Sequence, residues 1–327
     1  MKYYLVSVSN RTNLNLCINY AMAGFTNSIN GAWTYVEIDR GDFLSFLYGA
    51  KVYNLYRVKE KIAIRNADKA PPWPPVTFSM SGRTYYFPFR LILEPLRKLE
   101  EPLVRAEFSY VAENLLLRGG YRKTHFQADQ TTLQSVSQMG IPYNERTKRF
   151  DYSRYELFDL KFTRNRALAQ APEIFHFNEL ILQSAMKNYL SKGDNLEIFL
   201  SSFDIKIPFN SLEILGEKAL PEGHVDLLIK DATPIGSSNS IIVEVKSSSA
   251  RTADVEQTIS YGKEMGDDCL KCILVAKKFP RRILEYSCDH PLDLATYKIG
   301  VDLEKEVGFS EITNNLQLSA ISKTPIR

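Results

Sequence analysis

A chain of 327 residues exceeds one ordinary compact domain and suits two. Its hydrophobic fraction of 44% is that of a globular protein, and no apolar run approaches the roughly 18–20 residues of a membrane span, so a soluble protein with no membrane partner is expected. The net charge of +3 is mild, but the first hundred residues carry thirteen Lys/Arg against seven Asp/Glu, which favours a polyanionic partner for the front of the chain. The opening "MKYYLVSVSNRTN" turns polar after one strand-length run and offers no signal-peptide core, which points to the cytoplasm.

In chain order, residues 3–8 read as a strand, and Asn10 suits the cap of a short helix. The segments "GAWTYVEID", "DFLSFLYG", "KVYNLYRVKEKIAI" and "RTYYFPFRLIL" are rich in aromatic and β-branched residues between Gly, Asp and Pro, and read as a mostly β unit. Before the last of them, four prolines around Trp73 exclude helix and predict a stiff, exposed loop. Residues 96–170 read as a helical connector, with a helix over 104–120 that ends in two glycines. From 171 onward the expected order is a helix near Phe175, the strand "LEIFLSSFDIKI", the strands "GHVDLLIKD" and "IIVEVKSSS", the helix "TADVEQTISYGKEM", the strand "CILVAKK", the helix "RRILEYSC" and the strand "LATYKIGVD". That alternation suits a mixed sheet flanked by helices, in an α/β or α+β fold class, with a polar and loose tail of about twenty residues at the end.

The chemistry concentrates on two apolar strands that carry charge. Side chains two apart on a strand share a face, so Glu244 and Lys246 point together, and a paired neighbour would set Asp226 beside Glu244. Two carboxylates at one low-dielectric spot repel unless a cation lies between them, and magnesium is the natural ion, with manganese as a substitute. Asp226, Glu244 and the backbone carbonyl of Val245 would be its ligands, and Lys246 would orient an attacking water and offset charge on a phosphate. The plainer alternative is a Glu–Lys surface pair with Asp226 opening a turn. Gln257 and Tyr261, four apart on the following helix, share a face that can look back at the carboxylates.

This arrangement, a strand Asp, then Glu-x-Lys closing an apolar strand, then Q-x-x-x-Y on a helix, resembles the PD-(D/E)xK nuclease superfamily and its RecB-like branch over residues 171–300. The resemblance implies metal-dependent hydrolysis of DNA phosphodiesters, with Asp226, Glu244 and Lys246 in the core motif and Gln257 and Tyr261 in the branch motif. It also implies an acidic residue on the helix before the first core strand, which Glu179 fits best. The chain departs from the family in lacking a proline before Asp226. His224, two before Asp226, reads as structural or DNA-facing, while His125 reads as a connector residue.

Residues 1–95 resemble the EVE/YTH branch of the PUA-like superfamily, on "SVSN", "GAWTY", "GDFLSFLYG" and "KVYNLYRV". The resemblance implies a PUA-like β-barrel that reads a modified base between aromatic rings. The two tryptophans of the chain, Trp33 and Trp73, are the candidate walls, since base stacking is worth roughly 1–3 kcal/mol per aromatic contact. The other reading is that Trp33 is core and Trp73 packs on its prolines. Asn10 or Ser9 could bond the base edge or its phosphate, although Asn10 serves equally as a helix cap, and Tyr48 reads as core. The expected whole is a modification-dependent, type IV-like restriction endonuclease: a reader over 1–95, a connector over 96–170 and a nuclease domain over 171–327. It would act on double-stranded DNA carrying a modified base, as a homodimer because double-strand cleavage needs two sites. A repair or mismatch-directed nuclease, or a non-catalytic reader of modified RNA or DNA, are the alternatives. Finally, Cys269, Cys272, Cys288 and His290 raise a zinc site against the alternative of buried thiols.

Overall fold

The computed structural model describes the chain except for residues 50, 78, 80–81, 100–123, 209–210, 221–222, 234–238 and 322–327. The helix expected over 104–120 therefore lies outside the described residues. The chain divides into two compact units, Met1–His176 and Phe177–Arg327. The described part of the expected connector belongs to the first of them.

In the first unit, β1 (Tyr3–Ser7) leads into α1 (Arg11–Tyr20), whose N-terminus is capped by Asn10 accepting from the Asn13 N–H. Then come β2 (Met22–Phe25), α2 (Ile29–Glu37), β3 (Phe43–Tyr48) and β4 (Lys51–Ala63). A small hairpin of β5 (Val76–Thr77) and β6 (Thr84–Tyr85) precedes β7 (Phe89–Lys98). After the undescribed stretch follow β8 (His125–Ala128), α3 (Gln130–Ser137), β9 (Ile141–Pro142), and the parallel pair β10 (Lys161–Thr163) and β11 (Ile174–His176). The main sheet runs β2-β7-β4-β3-β1-β8, with β9 paired to β7. Among the described residues this path is open, with β2 and β8 at its edges, and the closed barrel expected from the sequence does not form.

The segment "GAWTYVEID", read as a strand, is the helix α2. Ser28 caps it by accepting from the Gly31 N–H, and Ala32, Trp33, Thr34, Val36 and Glu37 are all buried. A helix buried all round leaves no amphipathic period to read, so its aromatic and β-branched content pointed the wrong way. Gly31 is required by space: a Cβ there would lie 1.9 Å from the Thr26 carbonyl oxygen.

The proline loop also differs from expectation, because Trp73 is only 4% exposed. Its ring packs against Gly24, where a Cβ would come within 2.4 Å of it, and against Phe87 with ring centroids 5.5 Å apart. The fully buried Arg90 holds the loop down by donating to the carbonyls of Ala70 (3.0 Å), Pro71 and Phe87 (3.0 Å), with its guanidinium near the rings of Trp73 and Phe150. His125 is likewise no connector residue: it is a buried position of β8, paired with Val6 of β1.

The second unit opens on α4 (Glu179–Leu190), capped by Asn178 accepting from the Ile181 N–H, and α5 (Asn195–Ser201). The latter was expected as a strand. Leu196, Phe199, Leu200 and Phe203 are buried at i, i+3, i+4 and i+7, a helical spacing that the aromatic run obscured. The strands are β12 (Leu212–Leu220), β13 (Gly223–Asp231), β14 (Ser240–Ser249), β15 (Cys269–Lys278), β16 (Asp293–Ile299), β17 (Val307–Gly308) and β18 (Leu316–Ile321). The helices are α6 (Thr252–Met265), α7 (Arg281–Cys288) and α8 (Phe309–Asn314). The sheet order is β12-β13-β14-β15-β16-β18. Its centre, β14-β15-β16, is parallel because α6 and α7 carry the chain back between strands, and the outer pairs are antiparallel. Central strands covered on both faces read as nearly continuous apolar runs, as residues 241–243 and 272–276 do. The tail expected to be loose instead forms α8 and β18, the latter paired with β16 from Leu294/Ile321 to Ile299/Leu316.

Candidate active site

The antiparallel register of β13 and β14 runs from Lys230/Ser240 to Leu227/Val243. One further step sets Asp226 opposite Glu244, and there the Asp226 side chain takes over, its Oδ2 accepting from the Val245 N–H at 2.7 Å. Directly opposed residues share a face of the sheet, so both carboxyls stand on the same side. Asp226 is 8% exposed and Glu244 only 1%.

Lys246, two residues on, donates to Glu244 Oε1 at 2.7 Å, and its Nζ lies 3.9 Å from Glu179 Oε1. Glu179, in the first turn of α4, accepts the Ser247 N–H on its Oε2 at 2.9 Å. The Tyr297 hydroxyl donates to the Ser247 carbonyl at 2.9 Å. The end of β14 is thus fastened on either side of Lys246, by Asp226 at Val245 and by Glu179 and Tyr297 at Ser247. Neither Ser247 nor Tyr297 could be read from motif spacing, since the first acts through its backbone and the second comes from β16.

On α6, Gln257 Nε2 donates to the Tyr261 hydroxyl at 2.8 Å. Tyr261 is buried over the start of β13, where Gly223 leaves the room: a Cβ there would lie 2.2 Å from the phenol oxygen.

Burial pushes the Asp226 carboxyl well above the ordinary range, and the negative charge of Glu244 adds to it. Burial likewise raises Glu244, against the pull of Lys246. Burial alone would lower Lys246, but the Glu244 carboxylate, with Asp226 and Glu179, brings it up to about 12, so the ammonium persists through the neutral range. The second carboxylate oxygen of Glu244, Oε2, is buried with no hydrogen-bond partner. Most buried side-chain polar atoms have at least one hydrogen-bond partner.

That orphan oxygen, beside a second carboxyl of raised pKa, fits a hard divalent cation. Among the described residues no three His, Cys, Asp or Glu side chains converge as metal ligands. The Cys/His group is not assembled as a zinc site: Cys269 and Cys272 touch, whereas Cys288 donates to the Leu284 carbonyl and the His290 ring packs on Tyr286.

In the first unit, Trp33 is 3% exposed and its ring lies 4.4 Å from that of His125, whose Nδ1 is 2.9 Å from the Thr34 hydroxyl. Both tryptophans are therefore covered and in different surroundings. Ser9 and Asn10 are exposed; Asn10 caps α1, and Ser9 Oγ accepts from the side-chain amides of Asn10 and Asn13 at 3.4 and 3.3 Å.

No family model matches the chain, and no curated protein does. Among solved structures it is similar to the crystal structure of a repair endonuclease from Pyrococcus abyssi, at 19% identity over 34% of this chain and 45% of that one, with a TM-score of 0.26. It is similar also to the structure of the EndoMS-dsDNA2 complex, at 16% identity over 77% of this chain and 78% of that one, with a TM-score of 0.24. The chain spans less than half the length of the first of these.

Proposed function

We propose that the chain is a magnesium-dependent DNA endonuclease of the modification-dependent kind, cutting with its second unit and reading a modified base with its first. The observation that carries the nuclease reading is the buried, partnerless Oε2 of Glu244 next to Asp226 and Lys246. Asp226, Glu244 and the Val245 carbonyl would hold Mg2+, or Mn2+ in its place. When bound, the ion supplies Lewis-acid polarisation of the phosphate and a water of lowered pKa.

The protein's own groups do the rest. Lys246 stays an ammonium at neutral pH, so it serves as a donor to phosphate oxygens and to the attacking water, and stabilises charge that develops on the attacked phosphate. Glu179 holds the Ser247 N–H and so fixes the strand end that aims Lys246. Tyr261, anchored over Gly223 and bonded by Gln257, positions α6 against the start of β13.

The reader role rests on the resemblance of residues 1–95 and on the basic excess at the front of the chain. Since Trp33 and Trp73 are both covered, a base can stack on either ring only by displacing its cover. Trp33→Ala or Trp73→Ala should weaken discrimination while sparing metal binding; if both variants discriminate normally, the pocket lies elsewhere. Cleavage of both strands by one such site per chain calls for a homodimer.

The test is a panel of duplexes, unmodified, mismatched and carrying different base modifications, assayed with magnesium and with EDTA. Magnesium-dependent cutting confined to modified duplexes is expected. Equal cutting of all substrates would sink the modification reading, mismatch-selective cutting would move the protein to repair, and binding without cutting would leave a reader alone.

A further inference from the structure

The strand β15 starts with a bulge. Against β14, Cys269 pairs with Ser240, Lys271 with Ile241 and Cys272 with Ile242, so Leu270 is the extra residue, and it is 45% exposed. In a regular strand, residues three apart face opposite sides. The bulge instead brings Cys269 and Cys272 to the same side, two register positions apart, with their sulfurs 3.7 Å from each other.

Helix α6 is notched above them. A Cβ at Gly262 would lie 2.4 Å from Cys272 Sγ and 3.6 Å from Cys269 Sγ, so the missing side chain provides the space that the two sulfurs occupy. Exposure is unequal: Cys269 is half-buried and Cys272 only 6% exposed. Their acidities diverge accordingly. The contact with Cys272 draws the Cys269 thiol down, and the same contact, together with burial, pushes Cys272 up. An accessible thiol of lowered pKa beside a covered one is the arrangement that thiol exchange needs. The other two cysteines lack it. Cys17 is buried alone in the first unit with its thiol pushed up to about 12, and Cys288 is solitary on α7.

We propose that Cys269 and Cys272 are a redox-active dithiol that closes reversibly to a disulfide by exchange with a small-molecule disulfide, Cys269 being the entry thiol and Cys272 the resolving one. The Cys269 thiolate attacks one sulfur of the incoming disulfide; a Cys269–S bond forms and the first small thiolate leaves, taking a proton from solvent. Cys272 gives its proton to solvent and attacks Cys269 Sγ, and the second small thiolate leaves. The two cysteines lose two electrons, and one small-molecule disulfide becomes two thiols. The sulfurs are in contact, so closing to the covalent distance of about 2.05 Å needs only a local shift of the bulge. This chemistry does not depend on whether the protein cuts DNA.

The experiment uses the full chain incubated with oxidised glutathione, quenched by alkylation and digested with trypsin. Lys271 lies between the two cysteines, so the reduced protein yields two separately alkylated peptides and the oxidised protein one disulfide-linked pair. The linked pair should form in the wild type and in Cys288→Ser, and revert with reduced glutathione. Cys272→Ser should stop at a stable glutathione adduct on Cys269. A wild-type protein that accumulates the Cys269 adduct without closing, or whose Cys269 reacts no faster than Cys288, would overturn the proposal. Because the wild-type peptide map decides alone, the outcome does not depend on whether a variant folds.

Discussion

Both units bury charge, and two of these places differ in how completely the charge is bonded. In the first unit, Arg90 is entirely buried, yet its guanidinium donates to three carbonyls and lies against two rings. Asp42 is buried too and accepts from the backbone N–H groups of Lys2 (2.8 Å) and Asp39 (3.0 Å). In the second unit, Glu244 is about as deeply placed as Arg90, but one of its oxygens has no partner and its opposite neighbour is another carboxyl. Arg90 and Asp42 are completed by the fold itself, whereas Glu244 keeps one oxygen open beside a second carboxyl, where a cation can complete it.

The largest effect should come from attacking the incomplete set. Lys246→Ala or Glu244→Gln should lower magnesium-dependent cleavage by about 10²–10³-fold or more, the scale of removing one group that stabilises transition-state charge. Circular dichroism should show the fold retained. A Lys246→Ala variant that cuts like the wild type would mean that the carboxylate ledge is merely another structural ion pair.

Arg90→Ala should do the reverse, costing stability with no dependence on divalent ions. Three carbonyls would lose a charged donor and two rings their neighbour, so the loss should be at least about 3 kcal/mol by denaturant midpoint. Arg90→Lys should recover only part, because an ammonium lacks the planar fork that reaches Ala70, Pro71 and Phe87 together.

The carboxyl pair predicts a signed pH dependence. A carboxyl whose folded pKa exceeds its unfolded value holds more protons when folded, so stability falls as pH rises between the two values. For metal-free protein, Asp226→Asn should therefore be more stable than wild type at pH 7, and the difference should vanish below about pH 3, where both carboxyls are protonated in either state. Magnesium should raise the wild-type Tm and leave that of Asp226→Asn unmoved. An Asp226→Asn protein less stable than wild type at neutral pH without metal would contradict the repulsion between Asp226 and Glu244.

How the sequence reads differs between the units for a physical reason. The juxtaposition of Asp226, Glu244 and Lys246, and the bond between Gln257 and Tyr261, follow from periods of 2 and 3.6 that hold wherever the element type is recognised. Recognition fails where burial is uniform or the strand half-polar. Helix α2 hides its period by being covered all round. Strand β12 buries Ile214 and Leu215 but carries charge between its apolar positions, and β18 is an edge strand in which Leu316 is the one buried residue, so neither shows a clear period of 2. The covering of Trp73 was illegible because it depends on Gly24 and Arg90, distant in sequence and brought together only by the pairing of β2 with β7.

The smallest effect comes from a pair of helix glycines, one in each unit, whose neighbours differ in how far they can yield. At Gly31 a Cβ would meet the backbone oxygen of Thr26 at 1.9 Å, and that oxygen is fixed by the turn into α2. At Gly262 it would meet Cys272 Sγ at 2.4 Å, the end of a side chain that can rotate. Replacing glycine by alanine inside a helix gains about 1 kcal/mol of propensity, and overpacking costs about 1–3 kcal/mol where neighbours can adjust. Gly262→Ala should therefore be destabilised by no more than about 2 kcal/mol and remain folded, while Gly31→Ala should lose more than that, because α2 must move bodily. Denaturant midpoints of the two variants measure the difference directly. Equal losses would mean that the Cys272 sulfur is held as rigidly as a backbone carbonyl, and the notch in α6 would then be a fixed packing feature with no room for the bulge to shift.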